Sequence, residues 1–246
     1  MGMMTYREGS RGPVVAMIQK AVGCYPDSIW GKLTTEAVKA FQKAHSLTPD
    51  GIAGPRTLAA MGIEAVTPTQ TANANTGNIQ SVTACYGGKT ITLKRSKRRI
   101  DEIIVHCTAS REGQEQTVEQ IRRDHTTPVS KGGRGWSDIG YHYVVYRDGT
   151  VHLGRDVDIS GAHAEGHNSH SIGVVYVGGV ENRPGVPYTQ LKAKDTRTEQ
   201  QKASLLALLM DLRKLYPKAR IIGHRDVDTH GKACPSFKAK EEYRNI

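Results

Sequence analysis

The chain has no long apolar run. Its longest aliphatic stretch, residues 205–210, falls far short of the ~20 residues that a membrane-crossing helix needs. Its start, Met1-Gly2-Met3-Met4-Thr5-Tyr6-Arg7-Glu8, lacks the apolar core of a signal peptide, and Tyr6 stands where myristoylation would want Ser or Thr. These absences predict a protein that is cytoplasmic when made, does not insert into a membrane, and reaches an outside target only by release or delivery. Cysteine is scarce too: four, at 24, 85, 107 and 234, lack the density of a disulfide framework and suit a reducing compartment. With 37% hydrophobic residues in 246, what remains is a soluble chain with room for two modest domains.

Positive charge is what the chain has in excess. A net charge of +10 predicts attraction to polyanions, and Lys94-Arg95-Ser96-Lys97-Arg98-Arg99 concentrates part of it. No aromatic interleaving or nucleic-acid-binding motif accompanies the charge, so nucleic acid is not the expected partner. An anionic cell envelope accounts for it as well, and so does a solvated basic linker.

Two apolar runs end abruptly at histidine. Ile103-Ile104-Val105 stops at His106 and Arg220-Ile221-Ile222-Gly223 stops at His224, which puts each imidazole at the tip of a short buried strand. Cys234, in Lys232-Ala233-Cys234-Pro235-Ser236-Phe237, completes a set of three. Two neutral nitrogens and one thiolate match the preference of zinc, and three protein ligands leave one position open for water, as in catalytic sites. His230, four residues before Cys234, competes with His224; the position at a strand tip favours His224. Cys24 and Cys107 are read as core residues, since Cys107 follows His106 on a strand and points to the opposite face. Cys85 is unassigned.

Around these ligands stand Val105-His106-Cys107-Thr108-Ala109, Gly140-Tyr141-His142-Tyr143, Arg147-Asp148-Gly149-Thr150-Val151, Gly161-Ala162-His163-Ala164, Asn168 with Ser171-Ile172-Gly173-Val174, and Gly178-Gly179. In this order, from about Arg99 to the C-terminus, the motifs resemble the zinc-dependent N-acetylmuramoyl-L-alanine amidases. The resemblance is to the bacteriophage lysozyme-type branch, related to the peptidoglycan recognition proteins. It implies hydrolysis of the amide between N-acetylmuramic acid and L-alanine of the stem peptide by zinc-activated water. It also implies that Tyr141 and Lys232 are the catalytic partners of the zinc. Some branches carry a glutamate in the strand matching residues 171–177; here Val174, Val175 and Tyr176 stand there, which leaves general-base work to Tyr141 and the metal hydroxide. His163 and Asn168, in the polar segment 161–171, are expected to contact substrate, with Thr108, while His142, His152, His167 and His170 are expected to be surface or packing residues. The rival reading is a recognition protein that binds peptidoglycan without cutting it; such relatives typically lack the cysteine ligand. A phage or prophage lysin, or a toxin delivered into a rival, suits an exported function without an export signal, and a monomer is expected.

The first sixty or so residues hold an internal repeat. Asp27-Ser28-Ile29-Trp30-Gly31-Lys32-Leu33-Thr34 returns as Asp50-Gly51-Ile52-Ala53-Gly54-Pro55-Arg56-Thr57, and each copy opens a helix that Thr34 or Thr57 can cap. With a helix starting near Pro13 this predicts a three-helix bundle. Arg7-Glu8-Gly9-Ser10-Arg11-Gly12-Pro13, Ala37-Val38-Lys39-Ala40-Phe41-Gln42 and Leu47-Thr48-Pro49-Asp50-Gly51-Ile52 resemble the helical peptidoglycan-binding module attached to wall hydrolases. Phe41 is read as core, and Trp30, in the turn, is left open as core or glycan contact. The expected organisation is a binding module over 1–63, a flexible polar and then basic linker over 64–98, and a catalytic α/β domain over 99–246. That domain is read as a mixed β-sheet flanked by helices, with helices at 117–125 and 198–216 and strands at 141–146, 150–153, 171–177 and 220–223.

Overall fold

The computed structural model describes residues 5–10, 13–24, 29–63, 79–244 and 246. The chain divides into two compact units, Met1–Gly77 and Asn78–Ile246. The Thr- and Asn-rich centre of the expected linker, and Asp27 and Ser28 of the first repeat, lie outside the described residues.

In the first unit, helices α1 (Pro13–Ala21), α2 (Lys32–Ala44) and α3 (Pro55–Ala60) surround Val15, Ile18, Trp30, Val38, Ala53 and Leu58. The repeat has one physical basis in both copies. Gln19 Nε2 donates to Thr34 Oγ1 at 3.0 Å and to the Ile29 carbonyl at 3.0 Å, and Gln42 Nε2 donates to Thr57 Oγ1 at 3.1 Å and to the Ile52 carbonyl at 2.9 Å. Each repeated threonine is thus the buried partner of a glutamine on the preceding helix. Neither caps: the N-caps of α2 and α3 are Gly31 and Gly54, and Thr34 and Thr57 lie one turn inside. Trp30 is buried, with its indole N–H donated to Thr35 Oγ1 at 2.9 Å, which settles it as a packing residue; Phe41 is half-buried and stacks on His45.

The second unit is built on a five-stranded sheet. Its strands are β3 (Glu102–Cys107), β5 (Tyr143–Val145), β6 (Val151–Leu153), β7 (Ser171–Tyr176) and β9 (Arg220–Gly223), in the order β6-β5-β7-β3-β9. Only β6 is antiparallel to its neighbour. A short parallel pair, β4 (Ser110–Arg111) with β8 (Gly179–Val180), lies beyond the ends of β3 and β7. The interior strand β3 is buried over its whole length because helices cover both faces, which is why it reads as a continuous apolar run rather than an alternation. Ile103, Val105 and Cys107 face the long helix α5 (Glu199–Leu215), whose Leu205, Leu208, Leu209, Leu212 and Leu215 recur at helical spacing. The other sheet face meets α4 (Val118–Thr126) through Val118 and Ile121 against Val144 and Val175. Both helices start with a full capping box, Thr117 with Gln120 and Thr198 with Gln201, so their first turns are specified locally. A last short helix, α6 (Ala239–Glu242), is fastened by Arg197, which pairs with Asp195 and Glu242 and lies over the Phe237 ring.

The expected linker gives way to structure well before residue 98. Residues of β1 (Ser81–Tyr86) and β2 (Lys89–Lys94) form an antiparallel hairpin, and Tyr86, Ile91 and Leu93 enter the core shared with α5. Tyr86 Oη donates to Asp211 Oδ2 of α5 at 2.8 Å. The turn is Gly87-Gly88, both with positive φ (55° and 86°), the conformation of a tight two-residue hairpin turn. A Cβ on Gly87 would stand 2.5 Å from the Gly149 backbone, so this turn is also a point of close approach. The basic stretch is likewise anchored: Ser96 N–H donates to Tyr216 Oη at 2.7 Å, and the Arg98 guanidinium donates to the carbonyls of Val157 and Asn168. Basic residues 94–99 therefore belong to the second unit and are no free tether.

Candidate metal centre

Parallel strands present their C-terminal ends along one edge, and open α/β sheets bind ligands there. β3 and β9 are adjacent and parallel, in register Val105 opposite Gly223, so His106 and His224 arrive side by side with ring centroids 4.5 Å apart. Cys234 reaches the same point from the segment after a 3₁₀ turn at His224–Asp226, held by Arg225 N–H on the Cys234 carbonyl at 2.7 Å. The ligand atoms of His106, His224 and Cys234 all lie within 4.8 Å of one another. His230, the competitor by spacing, is exposed and stands outside this group.

His106 is 1% exposed, and its orientation is set from behind. His106 Nε2 meets His163 Nδ1 at 3.0 Å, His163 Nε2 meets Ser171 Oγ at 3.3 Å, and Ser171 Oγ donates to the His167 carbonyl at 2.7 Å. The carbonyl can only accept, so the protons run in one direction: the serine donates to it, His163 to the serine, and His106 to His163. That leaves Nδ1 of His106 with its lone pair, directed at Cys234 Sγ 3.7 Å away. Fixing a ligand tautomer through its other ring nitrogen is the usual support of a metal-binding imidazole. Burial first, and then the neighbouring imidazoles and Lys232, hold His106 well below the ordinary histidine value; burial and Lys232 lower His224 as well. Both are neutral and able to donate a lone pair. Contact with the Cys107 thiol, followed by burial, pushes the Cys234 thiol up, so a cation bound there displaces its proton. The Cys107 amide offers Cys234 Sγ an N–H at 3.3 Å. Two imidazoles and a thiol in this cluster are a donor set for a borderline divalent ion.

Tyr141 and Lys232 flank the cluster. The Tyr141 ring is 5.2 Å from that of His106, and burial pushes its phenol well above the ordinary value, so it is a donor at neutral pH. Lys232 is 54% exposed, and its ammonium is steered by Asp228 Oδ1 at 3.3 Å, while Asp228 Oδ2 accepts the amides of His230 and Lys232.

The three expected substrate contacts each also hold part of the site's own framework. His163 is only 8% exposed with both ring nitrogens engaged, and one of them positions His106. Room for its ring comes from glycine: a Cβ on Gly173 would stand 2.6 Å from His163 Cδ2, and one on Gly161 2.4 Å. Asn168 Oδ1 accepts the amides of His163 and Ala164 at 2.8 and 3.0 Å and shapes that loop. Thr108 Oγ1 accepts the Gly178 amide at 3.1 Å and ties the end of β3 to the Gly178-Gly179 turn. Nothing in the local sequence marks His163 as a support; a histidine between glycines that clear space for it is the available signal.

Comparison with known proteins places both units in known families. The family model described as N-acetylmuramoyl-L-alanine amidase matches residues 96–237, more than half of the chain. The chain belongs to the N-acetylmuramoyl-L-alanine amidase family. A peptidoglycan binding domain model matches residues 16–61, in the helical unit. The chain is 40% identical over 141 residues to the endolysin of Enterobacteria phage K11, covering 57% of this chain and 83% of that one. It is 38% identical over 146 residues to the endolysin of Escherichia phage T7, covering 59% and 87%. The solved N-acetylmuramoyl-L-alanine amidase LysC from Clostridium intestinale URNW is 29% identical, covers 59% of this chain and 82% of its own, and superposes with a TM-score of 0.44. This amidase is therefore an enzyme acting on peptidoglycan, a mixed α/β domain preceded by a helical binding unit. No helix among the described residues is long and apolar enough to cross a membrane.

Proposed function

We propose that this amidase is a zinc-dependent lysin-type hydrolase in which His106, His224 and Cys234 hold the ion. The observation that carries this reading is the convergence of these three ligand atoms within 4.8 Å at the edge of the sheet, with the supporting imidazole of His163 behind them. When bound, zinc supplies Lewis acidity toward the amide carbonyl and lowers the pKa of a water toward about 7. The chain's own residues do the rest. His163 and Ser171 keep His106 in one tautomer, so the donor set needs no rearrangement on binding. Lys232, steered by Asp228 beside the cluster, supplies positive charge to the oxygen that becomes negative as the tetrahedral centre forms. Tyr141, kept protonated by burial, offers a hydrogen bond to that same oxygen or to the departing nitrogen. The β4–β8 pair and the Gly178-Gly179 turn, fixed by Thr108 and Ser236 through hydrogen bonds to Gly178 and Gly179, form one wall beside these groups.

The endolysin relatives support action on the wall after release from the cell that makes the protein, and the helical unit is read as its wall anchor. Digestion of purified peptidoglycan with mass analysis of the fragments tests the reaction: free L-alanine amino termini and intact glycan strands are expected, while cleavage between sugars would overturn the reading.

A further inference from the structure

The molecule carries a second group of metal-ligating side chains at the opposite end of the same strand. Glu102 opens β3, four residues before His106, so at about 3.3 Å per residue the two lie roughly 13 Å apart along the strand. Glu102 is buried, its side chain 2% exposed, and a carboxylate so placed costs several kcal/mol to desolvate unless it is matched by charge or metal. One oxygen, Oε1, is taken by Arg220, whose own side chain is 70% exposed. The other, Oε2, faces two imidazoles: His167 Nδ1 at 2.7 Å and His170 Nε2 at 3.9 Å. A hydrogen bond explains the first distance but not the second, which is beyond hydrogen-bonding range. Yet the His170 ring is held in this pose, its Nδ1 against Ser169 Oγ at 3.3 Å, with its ring centroid 5.6 Å from that of His167. All three ligand atoms lie within 4.8 Å of one another.

We propose that Glu102, His167 and His170 form a second divalent-cation site, of the two-histidine, one-carboxylate type that takes zinc, nickel or cobalt. The donor set contains no sulfur, which sets it apart from the His106 cluster and favours imidazole-loving ions of the middle first row. Metal–ligand bonds of about 2.0–2.1 Å in tetrahedral array place ligand atoms about 3.4 Å apart. The present separations of 2.7 and 3.9 Å from Oε2 bracket that value, so turns of two half-exposed imidazoles suffice to close the site. The ion would fasten the 3₁₀ turn Asn168–His170 to the start of β3. Asn168 and Ser171, at this turn, are the residues that hold His163 against His106, so occupancy of the second site stiffens the support of the first. The alternative is a clamp made only of the carboxylate, His167 and Arg220, with His170 a bystander.

The test is a zinc and cobalt titration of the full-length chain after chelator stripping, followed by calorimetry and elemental analysis. Two equivalents are expected in the unaltered protein, and one in His167→Ala/His170→Ala. Losing an outer support of a metal ligand typically weakens binding 10–100-fold, and losing two ligands should weaken the second step at least that much. Cobalt separates the sites: the thiolate-to-cobalt charge-transfer band of the Cys234 site should persist in the double variant, which also shows that the fold is intact. In Cys234→Ser that band should vanish while one sulfur-free equivalent remains and zinc still raises the melting temperature. His170→Asn, at a half-exposed position, should lose the second equivalent with little disturbance of the fold. A single equivalent in the unaltered protein, or two equivalents retained in the double variant, would overturn the proposal and leave the clamp.

Discussion

Cys107 and Cys234 meet thiol to thiol beside the candidate metal centre, and only Cys234 offers its sulfur to the imidazoles. Cys107 contributes its backbone amide to Cys234 Sγ, a contact that survives any change of its side chain. Cys234→Ser should therefore weaken zinc binding and abolish turnover, while Cys107→Ser should retain both; zinc content and hydrolysis of a soluble muropeptide check this, and equal loss in the two variants would sink the assignment. Lys232→Ala should leave zinc binding in place and lower kcat by roughly a hundredfold or more, the usual effect of removing one group that stabilises a developing oxyanion. Normal kcat with only a raised KM would instead make Lys232 a substrate clamp. His142 carries the clearest pH signature. It is buried and accepts the Gly173 amide at 2.9 Å, and burial lowers its pKa to about 4. The unfolded chain, with a histidine near 6.5, takes up a proton that the folded chain refuses. This contribution is thus fully present above pH 6.5 and is lost as pH falls from there toward 4, on the order of 3 kcal/mol in all. Urea midpoints measured from pH 7.5 to 4.5 should drop accordingly, and His142→Gln should flatten the slope.

At the scale of elements, residues 79–98 matter most, because their polar and basic sequence reads as tether while they fold as part of the core. Tyr86 and Leu93 are each buried against α5, a gain of about 1.5–3 kcal/mol per large apolar side chain. Removing residues 1–98 uncovers α5 and takes away the Ser96 and Arg98 anchors, a loss comparable to much of a domain's ~5–15 kcal/mol of stability. Removing 1–77 touches none of this. Melting temperatures of the two truncated proteins should differ widely, and equal values would restore the longer linker. The hairpin had a legible signal: Val82, Ala84, Tyr86 and Ile91, Leu93 alternate with polar residues around Gly87-Gly88, the pattern of a strand pair. It was masked by the flanking polar and basic residues. The helices at 118–126 and 199–215 were legible because their capping boxes are local, and the metal-binding edge because each histidine ends an apolar run. The His163 support and the Glu102, His167 and His170 group were not legible. Their partners are 57 and 65 residues apart in the chain, and only sheet register and the glycines of β7 and the preceding loop bring them together.

At the scale of the whole molecule, two units with separate cores are joined in one chain, and His106, His224 and Cys234 of the candidate metal centre all lie in the second. The helical unit carries a cavity of about 260 Å³ lined by residues such as Leu47, Asp50 and Arg56, and is matched by the peptidoglycan binding domain. Its effect should therefore be one of local concentration: an anchor on the wall raises the encounter rate of a tethered catalytic domain with insoluble substrate, and changes nothing for a substrate that diffuses freely. Deleting residues 1–77 should leave kcat/KM on small soluble muropeptides nearly unchanged while reducing the rate of clearing intact sacculi. The gap should narrow as sacculus concentration rises, because a high bulk concentration of wall replaces what the tether supplies. Equal loss on both substrates would mean that the helical unit contributes to the catalytic fold itself, and equal retention on both would mean that it does not anchor the protein to the wall.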